Sequence, residues 1–343
     1  MPDIRVFFVT NRNHLPDNKE AVFGAQFNPD GVAALRFGYA DYGVGGGKPA
    51  FQSVFVYPEA KADAPAEGFA RQGSAGFLDD LRAAMGDERS DTLVFIHGFN
   101  VTFVEALHAG ARLGHQVTIE KRRLNVVVFS WPADGKAIPW MSYYSDREDA
   151  RSSGAAIARA YLKLHDFVCG LKPDDYCNRN LHLLAHSMGN YVLRQGLQAL
   201  LSKEPRRLVR LFDEIVLAAP DEDDDAFETD GKLRLLPQIA RRITLYHNSR
   251  DRALLVSDKT KANPDRLGSD GPRMLDLLPR KIVVVDCRRV VPAKGDSDIA
   301  YHSYFLTCPP VSTDLTATLA GAESGLIGNR EVVRPDLVYR IMG

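Results

Sequence analysis

The segment Ala185-His186-Ser187-Met188-Gly189 places a serine between small residues two positions away on each side. A serine at a sharp turn from a strand into a helix needs such neighbours, because its backbone is strained and the chain is crowded there. An apolar run at residues 181–184 precedes the segment, and a helical pattern follows from Asn190. We therefore predict that Ser187 is a nucleophile. The alternative is that Ser187 only caps the helix, since serine favours that position.

A serine hydroxyl is a poor nucleophile until a base accepts its proton, and in sheets of this kind the chain order is serine, acid, histidine. His247 and His302 are the histidines that follow Ser187, and His247 lies inside a strand-like run. His302 lies in a loop after the last strand run, so we predict it as the base. Asp251, in a turn after a late strand, is the predicted orienting acid, and Asp221, after the preceding strand, is the alternative.

Backbone amides are the predicted partners of the oxyanion that forms when a serine attacks a carbonyl group. One is the amide of Met188, directly after the nucleophile at a helix start. The other is the amide of Phe99, because His97-Gly98-Phe99-Asn100 follows a buried strand and has the His-Gly form of oxyanion loops. An ordinary glycine turn is the alternative for this loop.

A cluster of aromatic residues near one strand end is the predicted wall of a substrate pocket. The pocket residues that we predict are Asn100, Trp131, Trp140, Tyr143 and Tyr144. Such a cluster suits an apolar acyl group or an aromatic group. Equally, these residues could pack a short loop onto the domain, and a small lid between Gly135 and Asp149 is possible.

The elements that must position these residues form a regular series from residue 92 onward. Short β-branched and aliphatic runs at 93–96, 126–129, 181–184, 215–218, 243–246 and 282–285 alternate with longer helical segments. This alternation is typical of βαβ units, whose strands are buried on both faces. We predict an α/β protein: a three-layer α/β/α sandwich with a mostly parallel, wound sheet of about eight strands.

We expect one domain over residues 1–343, because no convincing linker or internal repeat follows residue 92. Residues 1–90 would supply N-terminal strands and an extension, residues 91–305 the catalytic core, and residues 306–343 a C-terminal tail. The glycine-rich stretch at residues 43–49 is predicted to be a surface turn, because Tyr42 and Pro49 occupy positions where a phosphate-binding loop needs glycine and a hydroxyl residue.

The chain resembles the α/β-hydrolases, and more narrowly a bacterial esterase/lipase-like family of uncharacterised function. The resemblance covers most of residues 4–305 and rests on residues 9–12, 97–100, 130–132, 185–189, 219–221 and 248–254. One departure is Ala185, where the usual elbow has glycine. The resemblance implies a serine hydrolase that cleaves a carboxylic ester through Ser187, His302 and Asp251. An acyltransferase, thioesterase or amidase with the same triad, and a non-catalytic binding module on this scaffold, are the alternatives.

The composition argues against other classes. Forty-three Lys and Arg against 44 Asp and Glu give a formal charge of −1, which favours neither nucleic acid nor an anionic membrane. No run of 18 apolar residues occurs, so no stable membrane insertion is expected, and we expect a soluble, cytoplasmic protein acting on a small-molecule ester. No cofactor or metal is predicted, since no nucleotide, flavin or metal motif occurs, and the oligomeric state does not follow from the sequence.

Overall fold

The structure, a computed structural model, is built on a continuous sheet of eleven strands. It describes residues 3–59, 72–87, 90–133, 139–172, 177–254, 265–296, 298 and 300–343, with the backbone alone at residues 139–142. Along the sheet the strand order is β14-β15-β13-β12-β11-β10-β6-β9-β1-β4-β5. The eight strands from β15 to β1 are all parallel to their neighbours, and the outer strands β14, β4 and β5 pair antiparallel.

The strands are β1 Ile4–Thr10, β2 Arg12–His14, β3 Phe23–Phe27, β4 Arg36–Gly45, β5 Lys48–Val56, β6 Thr92–Ile96, β7 Thr118–Ile119, β8 Arg122–Arg123, β9 Asn125–Ser130, β10 Leu181–His186, β11 Phe212–Ala218, β12 Ala240–His247, β13 Ile282–Asp286, β14 Arg330–Arg334 and β15 Val338–Ile341. The helices are α1 Gly73–Asp87, α2 Phe103–Gln116, α3 Pro139–Ser152, α4 Gly154–Gly170, α5 Gly189–Lys203, α6 Leu267–Asp270, α7 Tyr304–Thr307 and α8 Pro309–Leu319. Within the described ranges, 3-10 turns lie at Pro205–Arg207, Leu236–Gln238, Leu275–Leu277 and Ser324–Leu326.

Two separate hydrophobic clusters cover the two faces of the sheet. Phe7 and Val9 of β1 pack with α1, α3, α4 and α5 on one face, whereas Val6 and Phe8 pack with α2, α7 and α8 on the other. Successive side chains of a strand point to opposite faces, which explains why β-branched runs without alternation fill both layers. The predicted three-layer α/β/α architecture is confirmed. No helix in the described ranges is long and apolar enough to cross a membrane.

The strand number differs from the expected eight because both edges of the sheet extend further. Residues 36–45 form a strand of their own, β4, which joins β5 through a hairpin whose turn residues Gly46 and Gly47 have φ of 60° and 79°. A positive φ is readily adopted by glycine, so this stretch is a turn only at its tip. The predicted surface turn at 43–49 is therefore shorter than expected.

The segment 306–343, expected to be a tail, contributes α8 and two strands to the sheet. β15 pairs with β13, and β14 covers β15 as the outermost strand. The buried carboxylate of Asp314 in α8 anchors this hairpin by accepting hydrogen bonds from Arg330 Nε at 2.6 Å and from Arg330 Nη2 at 2.7 Å. Tyr246 of the central strand β12 donates to the same carboxylate at 2.6 Å.

Substituting Asp314→Ala is expected to lower the free energy of unfolding by about 3–5 kcal/mol, because the almost fully buried Arg330 guanidinium then loses its counter-charge. Urea unfolding of the two proteins measures the difference. The matched control is Asp276→Ala, which breaks the exposed pair with Arg334 and is expected to cost less than about 1 kcal/mol. Equal losses in the two variants would contradict an anchoring role for Asp314.

Candidate active site

Ser187 lies at the sharp turn between β10 and α5, and its backbone has a φ of 52°. Its N–H donates to the Ala218 carbonyl at 3.0 Å, and its carbonyl accepts from the Asp221 N–H at 3.2 Å. Gly189 is needed two residues later, since a Cβ there would come within 2.5 Å of the Ile96 carbonyl oxygen. The carboxyl ends of β6, β10 and β11 therefore hold the serine in a strained conformation, as the elbow pattern predicts.

His302 and Asp251 are brought together although 51 residues separate them. His302 Nδ1 lies 2.7 Å from Asp251 Oδ2, and the Asp251 side chain is fully buried. The second oxygen of Asp251 accepts hydrogen bonds from the amides of Ala253 and Leu254 at 3.0 and 3.2 Å. These bonds orient the carboxylate toward the imidazole.

The pKa of His302 is raised above its usual value. Burial alone lowers this pKa, but the charge and the hydrogen bond of Asp251 outweigh burial by stabilising the imidazolium. A histidine with a raised pKa and a buried carboxylate on Nδ1 can accept a proton on Nε2 and hold it.

The alternative acid, Asp221, has a different surrounding. Its Oδ2 accepts a hydrogen bond from the Tyr143 hydroxyl at 2.8 Å and lies 3.9 Å from Arg147 Nη1. Arg266 Nε approaches its other oxygen at 3.8 Å. The structure thus pairs His302 with Asp251 and places Asp221 among cations and a phenol beneath the Ser187 carbonyl.

His186 is a site residue that the sequence reasoning missed. Its ring lies 4.6 Å from the His302 ring and 4.8 Å from the Phe305 ring, measured between centroids. Nε2 of His186 is 3.2 Å from the His302 carbonyl oxygen, so it must carry the proton and donate. Burial, reinforced by the nearby His302, lowers the pKa of His186 well below 6.5 and keeps the ring neutral. The sequence feature that could have identified His186 as a site residue is its position directly before Ser187, at the end of a buried strand.

The oxyanion loop at residues 97–100 is shaped by the His97 ring. Nδ1 of His97 lies 2.8 Å from the Gly98 carbonyl, and Nε2 accepts from the Trp131 N–H at 3.2 Å. Burial and the charge of Arg12 lower the pKa of His97 to about 3, so the ring is neutral, with its proton on Nδ1. A trans peptide directs its N–H opposite to its carbonyl, so this contact fixes the direction of the Phe99 N–H.

Both predicted oxyanion donors have available amides. Within the part of the chain that the structure describes, the amides of Phe99 and Met188 donate to no protein acceptor. The neighbouring Asn100 amide, in contrast, donates to Asp146 at 2.7 Å, which ties the end of the loop to α3. The two open amides come from the ends of adjacent strands, β6 and β10.

Trp131 supports this loop rather than lining a pocket, which corrects its predicted role. The side chain is fully buried, its indole N–H donates to the His97 carbonyl at 2.9 Å, and its ring stacks on the His97 ring at 5.2 Å. Arg12, also buried, donates to Ser130 Oγ at 2.9 Å and to the Val101 carbonyl at 2.8 Å. Together these contacts connect the ends of β1, β6 and β9.

The remaining predicted pocket residues lie on the loop and on α3. The ring of Tyr143 is buried 5.9 Å from that of Phe99, and Tyr144 is exposed beside it. Asn100 Oδ1 is buried and has no hydrogen-bond donor among the described residues. Trp140 lies in α3, but its side chain is outside the described part of the structure. The described residues include no group of three metal-binding side chains close enough to hold an ion.

The α/β-hydrolase class is defined by a parallel sheet that carries a strained serine turn, a histidine–carboxylate pair and an oxyanion loop at the carboxyl ends of its strands. The chain belongs to the family described as "Alpha/beta hydrolase of unknown function (DUF900)", which matches residues 77–322.

Comparison with solved structures finds similarity to "the putative cell surface hydrolase from Lactobacillus plantarum WCFS1". The identity is 12% and the TM-score 0.31, over 68% of this chain and 93% of that one. No curated protein matches the chain.

Replacing Asp251 by Asn is expected to lower the pKa of His302 below 6.5, because burial then acts without the opposing charge. An NMR titration of the histidine ring protons measures it, and Asp221→Asn is the control with the smaller expected shift. In the wild type, the raised pKa of His302 means that its protonated form adds to the free energy of unfolding. This contribution is complete below about pH 6.5 and is lost as the pH rises through the raised pKa of the folded state. A larger shift in the Asp221 variant would contradict the assignment of the acid.

Proposed function

We propose that this hydrolase is a serine esterase that cleaves carboxylic esters of small or medium acyl groups through a covalent acyl-enzyme. The observation that carries the proposal is the strained Ser187 backbone, flanked by two amides without protein acceptors. A backbone held at positive φ costs about 1–3 kcal/mol and persists only where the surrounding structure enforces it. Here the strain presents the hydroxyl at the edge where the His302–Asp251 pair lies.

In the first step, Ser187 Oγ attacks the ester carbonyl while Nε2 of His302 takes the hydroxyl proton. Asp251 stabilises the imidazolium through Nδ1. The negative charge that develops on the carbonyl oxygen is met by the amides of Phe99 and Met188, which need no reorganisation. The imidazolium then protonates the leaving alcohol, and the bond between the carbonyl carbon and that oxygen breaks.

In the second step, water attacks the acyl-enzyme. His302 removes a proton from the water and returns it to Ser187 Oγ as the acid product leaves. The raised pKa of His302 supports both transfers, because the imidazolium is stabilised while it holds the proton. The exposed ring of Tyr144 and the partly buried ring of Phe99 offer aromatic surface for the acyl or alcohol group.

Ser187→Ala is expected to lower kcat on a short-chain p-nitrophenyl ester by about 10⁴–10⁶, because a triad acts as a unit. A fluorophosphonate should label Ser187 alone, as read by peptide mass spectrometry. The control is Ser53→Ala on the exposed strand β5, which should keep both properties. Full esterase activity in the Ser187 variant would overturn the proposal. Labelling without ester hydrolysis would keep the nucleophile but reject the ester substrate.

His97→Phe is expected to lower kcat by about 10²–10³ with little change in KM, since the substitution keeps the ring stack on Trp131 but removes the bond that directs the Phe99 amide. Steady-state kinetics measure the effect, and thermal unfolding checks that the fold is kept. His165→Phe, a partly buried ring on α4 whose Nδ1 lies 3.2 Å from Asp166, is the control. A variant that raises KM alone would assign His97 to substrate binding instead.

A further inference from the structure

An apolar cavity of about 110 Å³ lies between the sheet and helices α1, α4 and α5. Its walls are aliphatic and aromatic, apart from Thr92, Tyr161 and Lys163. Tyr161 and Lys163 direct their polar ends elsewhere, because the phenol donates to the Val209 carbonyl and the ammonium to Ser74 Oγ, each at 2.8 Å. Interiors are normally packed without voids of this size, so the cavity is a candidate binding space.

A second cavity, of about 320 Å³, adjoins the first. Five residues, Leu78, Leu81, Leu164, Leu181 and Phe212, line both. Its volume falls in the range of small-molecule sites. We treat the two spaces as one pocket with a small apolar inner part and a larger, partly polar outer part.

The outer cavity is lined by four arginines and one carboxylate. Arg241 is already engaged, since it donates to Asp213 at 2.6 and 3.1 Å and to Glu214 at 2.7 Å. Arg210 is exposed, and no ion pair to it occurs within the described ranges. Arg179 Nη1 lies 3.7 Å from Glu120, but its buried Nε has no acceptor among the described residues. A buried donor without an acceptor indicates that an anion or water belongs beside it.

The mouth of this pocket lies at the amino ends of the parallel strands, opposite Ser187, although its inner cavity extends beneath the sheet to Ile96 and Phe129 near the carboxyl ends. Thr92, Leu181 and Phe212, which line it, are the first residues of β6, β10 and β11, whereas the candidate active site is built at the carboxyl ends of the same strands. The pocket is therefore a second site, and its ligand need not be the substrate.

We propose that this pocket binds the free anion of a medium- or long-chain fatty acid. The alkyl tail occupies the inner apolar cavity, and the carboxylate lies at Arg179 and Arg210. Burial of apolar chain provides affinity, and charge-assisted hydrogen bonds from guanidinium groups select a carboxylate head. The inference does not depend on the reaction proposed for Ser187.

Isothermal titration of the full chain with octanoate, decanoate and dodecanoate, below their micellar concentrations, tests the proposal. We expect one site, with affinity rising roughly fourfold for each added methylene until the cavity is filled. Arg210→Ala should raise the Kd for dodecanoate about tenfold or more, because it removes a charge-assisted contact. Arg206→Ala, a nearby exposed arginine that does not line the pocket, should leave the Kd unchanged.

The same titration on fluorophosphonate-treated protein and on Ser187→Ala separates this site from the active site. Unchanged binding in both supports the proposal, whether or not the chain hydrolyses esters. Lost binding after treatment would place the fatty acid in the active site and overturn it. Equal effects of Arg206→Ala and Arg210→Ala, no saturable binding, or binding only to phosphatidylglycerol vesicles would also overturn it.

Discussion

Ser187 adopts a left-handed backbone that a residue with a Cβ rarely takes, and three strand ends are arranged around that one turn. The amide is held by β11 through Ala218, and the carbonyl is held from the segment that follows β11 through Asp221. Helix α5 begins so close to β6 that only a glycine fits at position 189. A shift in the register of β6, β10 or β11 would break one of these contacts, so the geometry of the serine depends on the order of the whole parallel sheet.

The oxyanion loop shows how buried polar groups can shape a site without taking part in it. His97 is neutral, and both of its ring nitrogens form hydrogen bonds with backbone groups. The Trp131 ring stacks on the face of the His97 ring. Arg12 spans from the end of β1 to the loop and places a buried cation among carbonyl and hydroxyl oxygens. Leaving any of these groups unpaired would cost free energy, and this cost holds the loop in one conformation.

The carboxyl ends and the amino ends of the strands differ in chemistry because the strands are parallel. At the carboxyl ends lie the strained turn at Ser187, the amides without protein acceptors and the largely buried histidine–carboxylate pair. At the amino ends, helices α1, α4 and α5 border an apolar space whose outer part is lined by arginines. Helix α4 borders this space along one side, so the same packing that closes the core also shapes the second pocket.

Local signals were sufficient for much of the fold and part of the site. β-branched runs predicted the six central strands, and the spacing of Ala185, Ser187 and Gly189 predicted the elbow. The order of Ser187, Asp251 and His302 along the chain predicted the candidate catalytic side chains. These features follow from sterics and hydrogen bonding within a few residues, or from the fixed side-chain period of a strand. They can be read without knowing what lies across the molecule.

Other features depended on contacts between distant segments. β14 is mostly exposed and has no buried apolar face, and its position is set by pairing with β15 and by the bond between Arg330 and Asp314. The pairing of His302 with Asp251, the contact between the His186 and His302 rings and the burial of Trp131 likewise join residues far apart in the chain or on different elements. The sequence by itself thus determined the strands, the elbow and the candidate groups. Only the tertiary structure decided which acid meets the base and which aromatic ring is buried, because charge pairing and packing depend on distances in space that the order of residues does not specify.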